Sequence, residues 1–295
     1  MRGTMNDASS VNIRPVTPDD MEACGRILYE AFKDIAVGHR FEPDFPTVEA
    51  ATNVVQGLID DSSNFGVVAE SDGQLVGSCF LSEKDPIRAV GPISVDPRHQ
   101  GRGIGRRLME AVIERGHGGA GIRLTQDAFN ASSMSLYASL GFEVKEPLVL
   151  MEGTCRGELP SGMEVRPMQQ ADVSACTELC ARVYGAGRIH DLQSMPPMII
   201  PIVALREGRI VAYATGLNFW PLNHAVAEHA EDMQALLLGA RTVGVELLTF
   251  LLPIRQAGLF RWCLNHGLRV RKPMTLMALG EYREPRGCYL PSVGY

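Results

Sequence analysis

The sequence predicts an α/β fold with a mixed sheet, used twice in tandem, the second copy degenerate. Three pairs of matching segments predict it. Ile13-Arg14-Pro15, then Asp19 and Asp20, then Met21, Cys24, Leu28 and Ala31 return 152 residues later as Val165-Arg166-Pro167, Asp172, and Val173, Cys176, Cys180 and Val183. The apolar residues in both are spaced 3, 4 and 3 apart, one stripe of an amphipathic helix. Each copy thus reads as a short strand, a polar turn with an acid at the helix start, and a helix. Next, Val67-Val68-Ala69, Asp72-Gly73 and Leu75-Val76-Gly77 match Ile202-Val203-Ala204, Glu207-Gly208 and Ile210-Val211-Ala212 at an offset of 135. β-Branched runs joined by an acid–glycine pair are the pattern of a hairpin. Last, Leu140-Gly141-Phe142-Glu143-Val144 through Pro147 matches His266-Gly267-Leu268-Arg269-Val270 through Pro273 at an offset of 126. There a helix stops at a glycine able to turn left-handed, and a strand begins. The shrinking offset means that the second copy has lost about 17 and then about 9 residues. The expected domains are 11–153 and 163–295, joined by a linker at 154–162 that holds Gly157, Pro160, Ser161 and Gly162.

Bulk properties agree with two globular domains. A length of 295 residues allows two cores at about 150 residues each. Hydrophobic residues make up 45% and charged residues 21%, an ordinary folded composition. A net charge of −6 argues against a nucleic-acid surface. The longest apolar stretch, Met195 to Leu205, is broken by Pro196, Pro197 and Pro201 and falls short of the roughly 20 residues of a membrane helix. The start, MRGTMNDASS, is polar and lacks the apolar core of a secretory signal. Seven cysteines without a CxxC pair point to reduced thiols in a cytoplasmic protein, not to disulfides or zinc.

The segment Ala89 to Gly116 carries the chemistry. Ile93, Ser94 and Val95 end a strand at Asp96-Pro97, and a loop with Gly101, Gly103 and Gly105 leads into a helix with Ile104, Leu108 and Val112 on one face. A glycine loop at a helix start makes an anion site: the first-turn amides lack internal partners and share about half a positive charge. Glycine there lets an oxygen approach the amides. A dinucleotide fingerprint would need a third glycine where Arg106 stands, and an ATP loop would need Gly-Lys-Ser/Thr, which is absent. What stands here is Gln100-Gly101-Arg102-Gly103-Ile104-Gly105. It resembles the acetyl-CoA pyrophosphate loop of the GCN5-related N-acetyltransferase (GNAT) superfamily, Gln/Arg-x-x-Gly-x-Gly/Ala. Downstream the resemblance continues: Asn130, Ser133, then Tyr137 seven residues after Asn130, then Gly141-Phe142. It covers about Ile13 to Gly153 closely and the chain from Met163 at the level of the fold.

The resemblance implies an acetyl-CoA-dependent N-acetyltransferase. Residues Gln100 to Arg106 would hold the diphosphate. The backbone of Ile93, Ser94 and Val95, splayed from its neighbour, would pair with the pantetheine amides. Asn130 and Ser133 would contact the pantetheine arm or a nearby water. Tyr137 would give a proton to the departing thiolate, since a phenol of pKa about 10 stays protonated at neutral pH. An amine would attack the thioester directly, helped by proximity. In the second copy Cys263 stands at the place of Tyr137 and Gln256 at that of Asn130. The stretch 225–240 reads as a helix with an acidic start (Glu228, Glu231, Asp232) and no glycine loop, so cofactor binding is expected to be lost there.

Other candidates are expected to be structural. Glu83, Asp85 and Asp127 read as solvated turn carboxylates, and no general base is assigned. Cys176 and Cys180 extend an apolar stripe. His224 and His229 are five apart, so no metal site is expected. Arg102, Arg106 and Arg107 read as a supplement to the phosphate site. His39 to Phe45 could receive an amine or cover the core. The expected partner is a small-molecule amine, with no nucleic acid and no membrane, in a monomer or homodimer. A CoA-binding sensor without chemistry and a protein or peptide N-acetyltransferase remain the other classes.

Overall fold

The computed structural model describes residues 11–193 and 199–294. The polar start and the Met195–Met198 part of the apolar stretch lie outside the described residues. By compactness the chain divides into two units, residues through Glu83 with Val90–Gly118, and Lys84–Ala89 with Gly119 onward.

The first unit holds β1 (Asn12–Pro15), α1 (Met21–Gly38), α2 (Val48–Asp60), β2 (Asn64–Ser71), β3 (Gln74–Ser82), most of β4 (Ile87–Val95) and α3 (Ile104–Gly116). Its strands run in the order β1-β2-β3-β4. The stripe Cys24, Leu28 and Ala31 of α1 is buried, and Cys24 and Leu28, with Ala51 and Val55 of α2, meet Val68 and Phe80 of the sheet. Helix α3 packs Leu108 towards Gly77 of β3, where a Cβ would stand 3.1 Å from Leu108 Cδ1 and 2.8 Å from the Ser94 carbonyl.

The second unit adds β5 (Gly121–Asp127), α4 (Ala131–Ser139) and β6 (Glu143–Gly153) to the start of β4. The second copy follows: β7 (Met163–Pro167), α5 (Val173–Tyr184), α6 (Ile189–Gln193), β8 (Ile202–Arg206), β9 (Arg209–Ala214), β10 (Ala225–Ala227), α7 (Ala230–Gly239), β11 (Leu248–Pro253), α8 (Ala257–Asn265), β12 (Leu268–Gly280) and β13 (Cys288–Leu290). No helix or strand occupies the expected linker 154–162. Among the described residues no helix is long and apolar enough to cross a membrane.

The matching segments take matching shapes. Arg14 donates to both oxygens of Asp20 at 2.7 and 2.8 Å, and the Thr17 N–H donates to the same carboxylate. Arg166, Asp172 and Gln169 repeat this at 2.7, 3.0 and 2.7 Å. The hairpin turns carry paired positive φ angles, Asp72 and Gly73 at 51° and 73°, Glu207 and Gly208 at 52° and 76°, the geometry that suits the strand twist. Gly141 and Gly267 stop their helices at φ 95° and 96°.

The two copies exchange their last strands. β12 lies between β5 and β6, antiparallel to both, with Met277 opposite Leu124 on one side and Val144 on the other. β6 in turn pairs with β11, Met151 opposite Phe250. The order β5-β12-β6-β11 therefore alternates between copies, and Leu150, Met151, Phe250, Leu251, Leu276 and Met277 are buried in it.

The Asp20 clasp sets an acid limit. Hydrogen bonds from Arg14 hold its carboxyl down to about 2 from a usual 3.8. The folded state then binds fewer protons than the unfolded one between these values, so this stabilisation is complete above about pH 4 and lost as pH falls to about 2. Urea titrations of Asp20→Asn should show a shallower loss of stability across that window; an unchanged slope would remove Asp20 as its source.

Candidate active site

In the first unit β4 ends at Asp96, whose side chain is buried and organises the turn. Asp96 accepts from the Arg98 N–H at 2.9 Å and from Arg98 Nε and Nη2 at 3.0 and 2.6 Å, which hold its carboxyl down to about 2. In the sequence Asp96 reads as a strand end. The signal was there, an aspartate accepting from the N–H two residues on. Gln100 folds back, its Nε2 donating to the Val95 carbonyl at 3.1 Å. Gly101 and Gly103 follow with φ of 75° and 80°, where side chains are strained, and a Cβ on either would project into open space. Gly103 caps α3 without any side-chain hydrogen bond, and no acid stands in the first turn.

Among the described residues no acceptor meets the N–H groups of Gly103, Ile104 or Gly105, so unpaired amides and the positive end of the helix dipole lie together at this loop, where Gly103 is exposed. That arrangement fits a diphosphate, which offers the acceptors that the amides lack. Arg102 is exposed beside it, and Arg106 leans to Glu110 at 3.9 Å. Arg107, also exposed, donates from its guanidinium to the Val11 carbonyl at 2.5 Å. Ser94 turns its side chain inward, 3.3 Å from Ser78 Oγ, and Ile93 and Val95 flank it on the strand.

In the second unit the parallel pairing of β4 with β5 is limited to Ile87–Ala89 against Gly121–Arg123. β5 leads to Asn130, whose Oδ1 caps α4 by accepting from the Ser133 N–H at 3.1 Å. Tyr137 is buried on α4, 5% exposed, with its ring edge-on to Phe142 at 6.2 Å. Its carbonyl accepts from the N–H groups of Leu140 and Phe142 at the helix stop.

The second copy differs at the corresponding places. The stretch expected as one helix, 225–240, is a strand, β10, and then α7. Only Glu228 and His229 join them, so the glycine loop is gone. Asp232 occupies the helix start instead, accepting from the His229 N–H at 3.2 Å and from Arg206 at 2.6 Å. Gln256 precedes α8 as Asn130 precedes α4. Cys263 replaces Tyr137, fully buried, its thiol pushed up by burial.

Two of the expected solvated carboxylates are not solvated. Asp127 lies 2.6 Å from the Lys272 ammonium, and both side chains are largely buried because β12 covers the end of β5. Asp85 is also buried, whereas Glu83 pairs with Arg115 at 2.9 Å. In the His39–Phe45 loop, Phe45 packs on the core edge-on to Phe32 at 5.5 Å. Cys176 and Cys180 are core residues, and Cys180 Sγ lies 3.4 Å from Nε2 of the buried His224. Burial holds His224 well below the ordinary histidine range, and so neutral. Among the described residues Glu228, His229 and Asp232 place donor atoms within 4.8 Å of one another. Their carboxylates are paired with Arg182, Arg209 and Arg206.

The acetyltransferase (GNAT) family profile matches residues 26–142. The chain is 33% identical over 141 residues to the N-alpha-acetyltransferase RimI of Mycobacterium tuberculosis, covering 46% of this chain and 81% of that protein. It is 29% identical over 175 residues to a mycothiol acetyltransferase of Thermobispora bispora, covering 54% of this chain and 56% of that relative, little more than half its length. A Pyrococcus horikoshii structure assigned as an acetyltransferase superposes with a TM-score of 0.72 at 18% identity, covering 97% of this chain and 94% of the other. A tandem GNAT protein from the clavulanic acid biosynthesis pathway gives 0.58 at 13%, covering 92% and 98%. Both likenesses run through the two copies and show the fold. The chain belongs to the acetyltransferase (GNAT) family, as an acetyl-transferring enzyme whose fold occurs twice.

Proposed function

We propose that this enzyme moves an acetyl group from acetyl-CoA to the amine of a small molecule, and that the first copy, residues 11–153, does the chemistry. One observation carries the reading: among the described residues the N–H groups of Gly103, Ile104 and Gly105 lack acceptors at an acid-free helix start. Bound acetyl-CoA would supply the activated acyl carbon. Gln100 to Arg106 would hold its diphosphate, and the backbone of Ile93 to Val95 would take its amide-bearing arm. The short β4–β5 pairing supports the latter, since it stops at Ala89. Asn130 has its Oδ1 committed to the helix cap, so its amide nitrogen is the group it would offer.

Attack by the amine expels a thiolate, and Tyr137 would deliver its phenolic proton to that sulfur. The amine must also lose a proton. Asp127 is already engaged, its carboxylate lying 2.6 Å from the Lys272 ammonium. A small-molecule acceptor is supported by the likeness to mycothiol acetyltransferase. The likeness to RimI favours a second reading, transfer to the α-amine of a protein. A cytoplasmic site is supported by seven free, buried thiols.

Tyr137→Phe should lower turnover about 100-fold and leave CoA affinity unchanged, as read by steady-state kinetics beside calorimetry. Equal turnover would remove the tyrosine from the mechanism. Gly103→Val puts a β-branched residue at φ 80° and a side chain over the amides, so CoA binding should weaken at least about tenfold. Release of CoA against amines, aminoglycosides and peptides separates the two acceptor readings. Turnover with peptides alone would overturn the small-molecule reading.

A further inference from the structure

The second copy carries one strand that the first does not. β12 is the counterpart of β6, and the chain then returns as β13 to lie antiparallel beside β10, the counterpart of β4. Ala225, Val226 and Ala227 pair with Leu290, Tyr289 and Cys288. Where β4 meets β5 directly through Ile87–Ala89, β10 has β13 on that side instead.

A carboxamide grips this strand. Gln256 Nε2 donates to the Tyr289 carbonyl at 2.7 Å, and Gln256 Oε1 accepts from the Tyr289 N–H at 3.4 Å. Both backbone groups of one residue are thus held by the side chain that stands, before α8, where Asn130 stands before α4. The Tyr289 ring is fully buried, and its hydroxyl donates to Glu146 at 2.9 Å. The approach is close enough to need glycine: a Cβ on Gly287 would stand 2.9 Å from Val183 Cγ1 and 3.2 Å from the Ala227 carbonyl.

We infer that β13 is a built-in occupant of the second copy's ligand groove, an extended run of peptide amides held where the first copy would take the amide-bearing arm of CoA, with Gln256 as the positioning residue. The inference rests on the proposed placement of that arm along β4. The second copy thus keeps amide recognition but satisfies it from within the chain, while the Asp232 carboxylate, accepting from the His229 N–H, puts a negative charge at the helix start that would otherwise attract a phosphate. One chain then takes one CoA.

Two measurements on the full chain test this. Calorimetry with CoA should give one equivalent per chain, and none with Gly103→Trp. Two equivalents, or one remaining in Gly103→Trp, would overturn the occupied groove. No heat with the unaltered chain would instead overturn the proposed placement of CoA on β4, and with it the ligand-groove reading of β13. Hydrogen exchange reads the strand without ligand: amides of residues 288–290 should be protected, and Gln256→Ala should speed their exchange about tenfold with α3 unchanged. Exchange at the rate of free peptide in the unaltered chain, or no change in Gln256→Ala, would equally overturn it.

Discussion

Strand β12 takes hydrogen bonds from β5 along one edge and from β6 along the other, and β6 passes the ladder on to β11. Buried peptide groups must be paired, and along β5-β12-β6-β11 each partner comes from the other copy. Neither copy can complete its sheet alone, because the last strand of each is spent on its neighbour. The side chains that fill this region, Leu150, Phe250, Leu251 and Met277 among them, are buried for the same reason. Sequence repeats and compact units therefore divide the chain at different places.

One helix dipole serves opposite ends in the two copies. At α3 eight residues separate strand from helix, enough for the Asp96 turn and two left-handed glycines, and no side chain caps the helix start. At α7 two residues make the connection, and the carboxylate of Asp232 takes the place that an external anion would need. The amides and the field are alike. Loop length and one acid decide whether the helix start is left open or meets a carboxylate of the protein itself.

Local chemistry made much of this legible in sequence. The Arg14–Asp20 and Arg166–Asp172 clasps, the acid–glycine hairpins and the stops at Gly141 and Gly267 follow from short-range rules, and each appears at its offset. The glycine loop was readable because its φ angles and its lack of a cap are properties of a few adjacent residues. What depends on distant partners was not. The exchange of β6 and β12 leaves no mark within either segment, so Asp127 reads as a turn carboxylate until β12 brings Lys272 against it. β10 was hidden inside an apparent helix because Ala225-Val226-Ala227 suits either state, and pairing with β9 and β13 decides it.

The exchange also bears on Tyr137. Helix α4 springs from the end of β5, and the turn before it is pinned where the Ala128 N–H donates to the Pro273 carbonyl of β12. Lys272, the residue before, neutralises Asp127 at the same turn and lies over the Trp220 ring at 5.4 Å. Beyond β13, the Val293 carbonyl accepts from Thr125 Oγ1 on β5 at 2.8 Å, and the Val293 N–H donates to Pro221. Thus β5 and the start of α4 are fixed largely by residues 220–293. A copy with no glycine loop and with Cys263 at the place of Tyr137 thus helps to fix the helix that carries Tyr137 in the other.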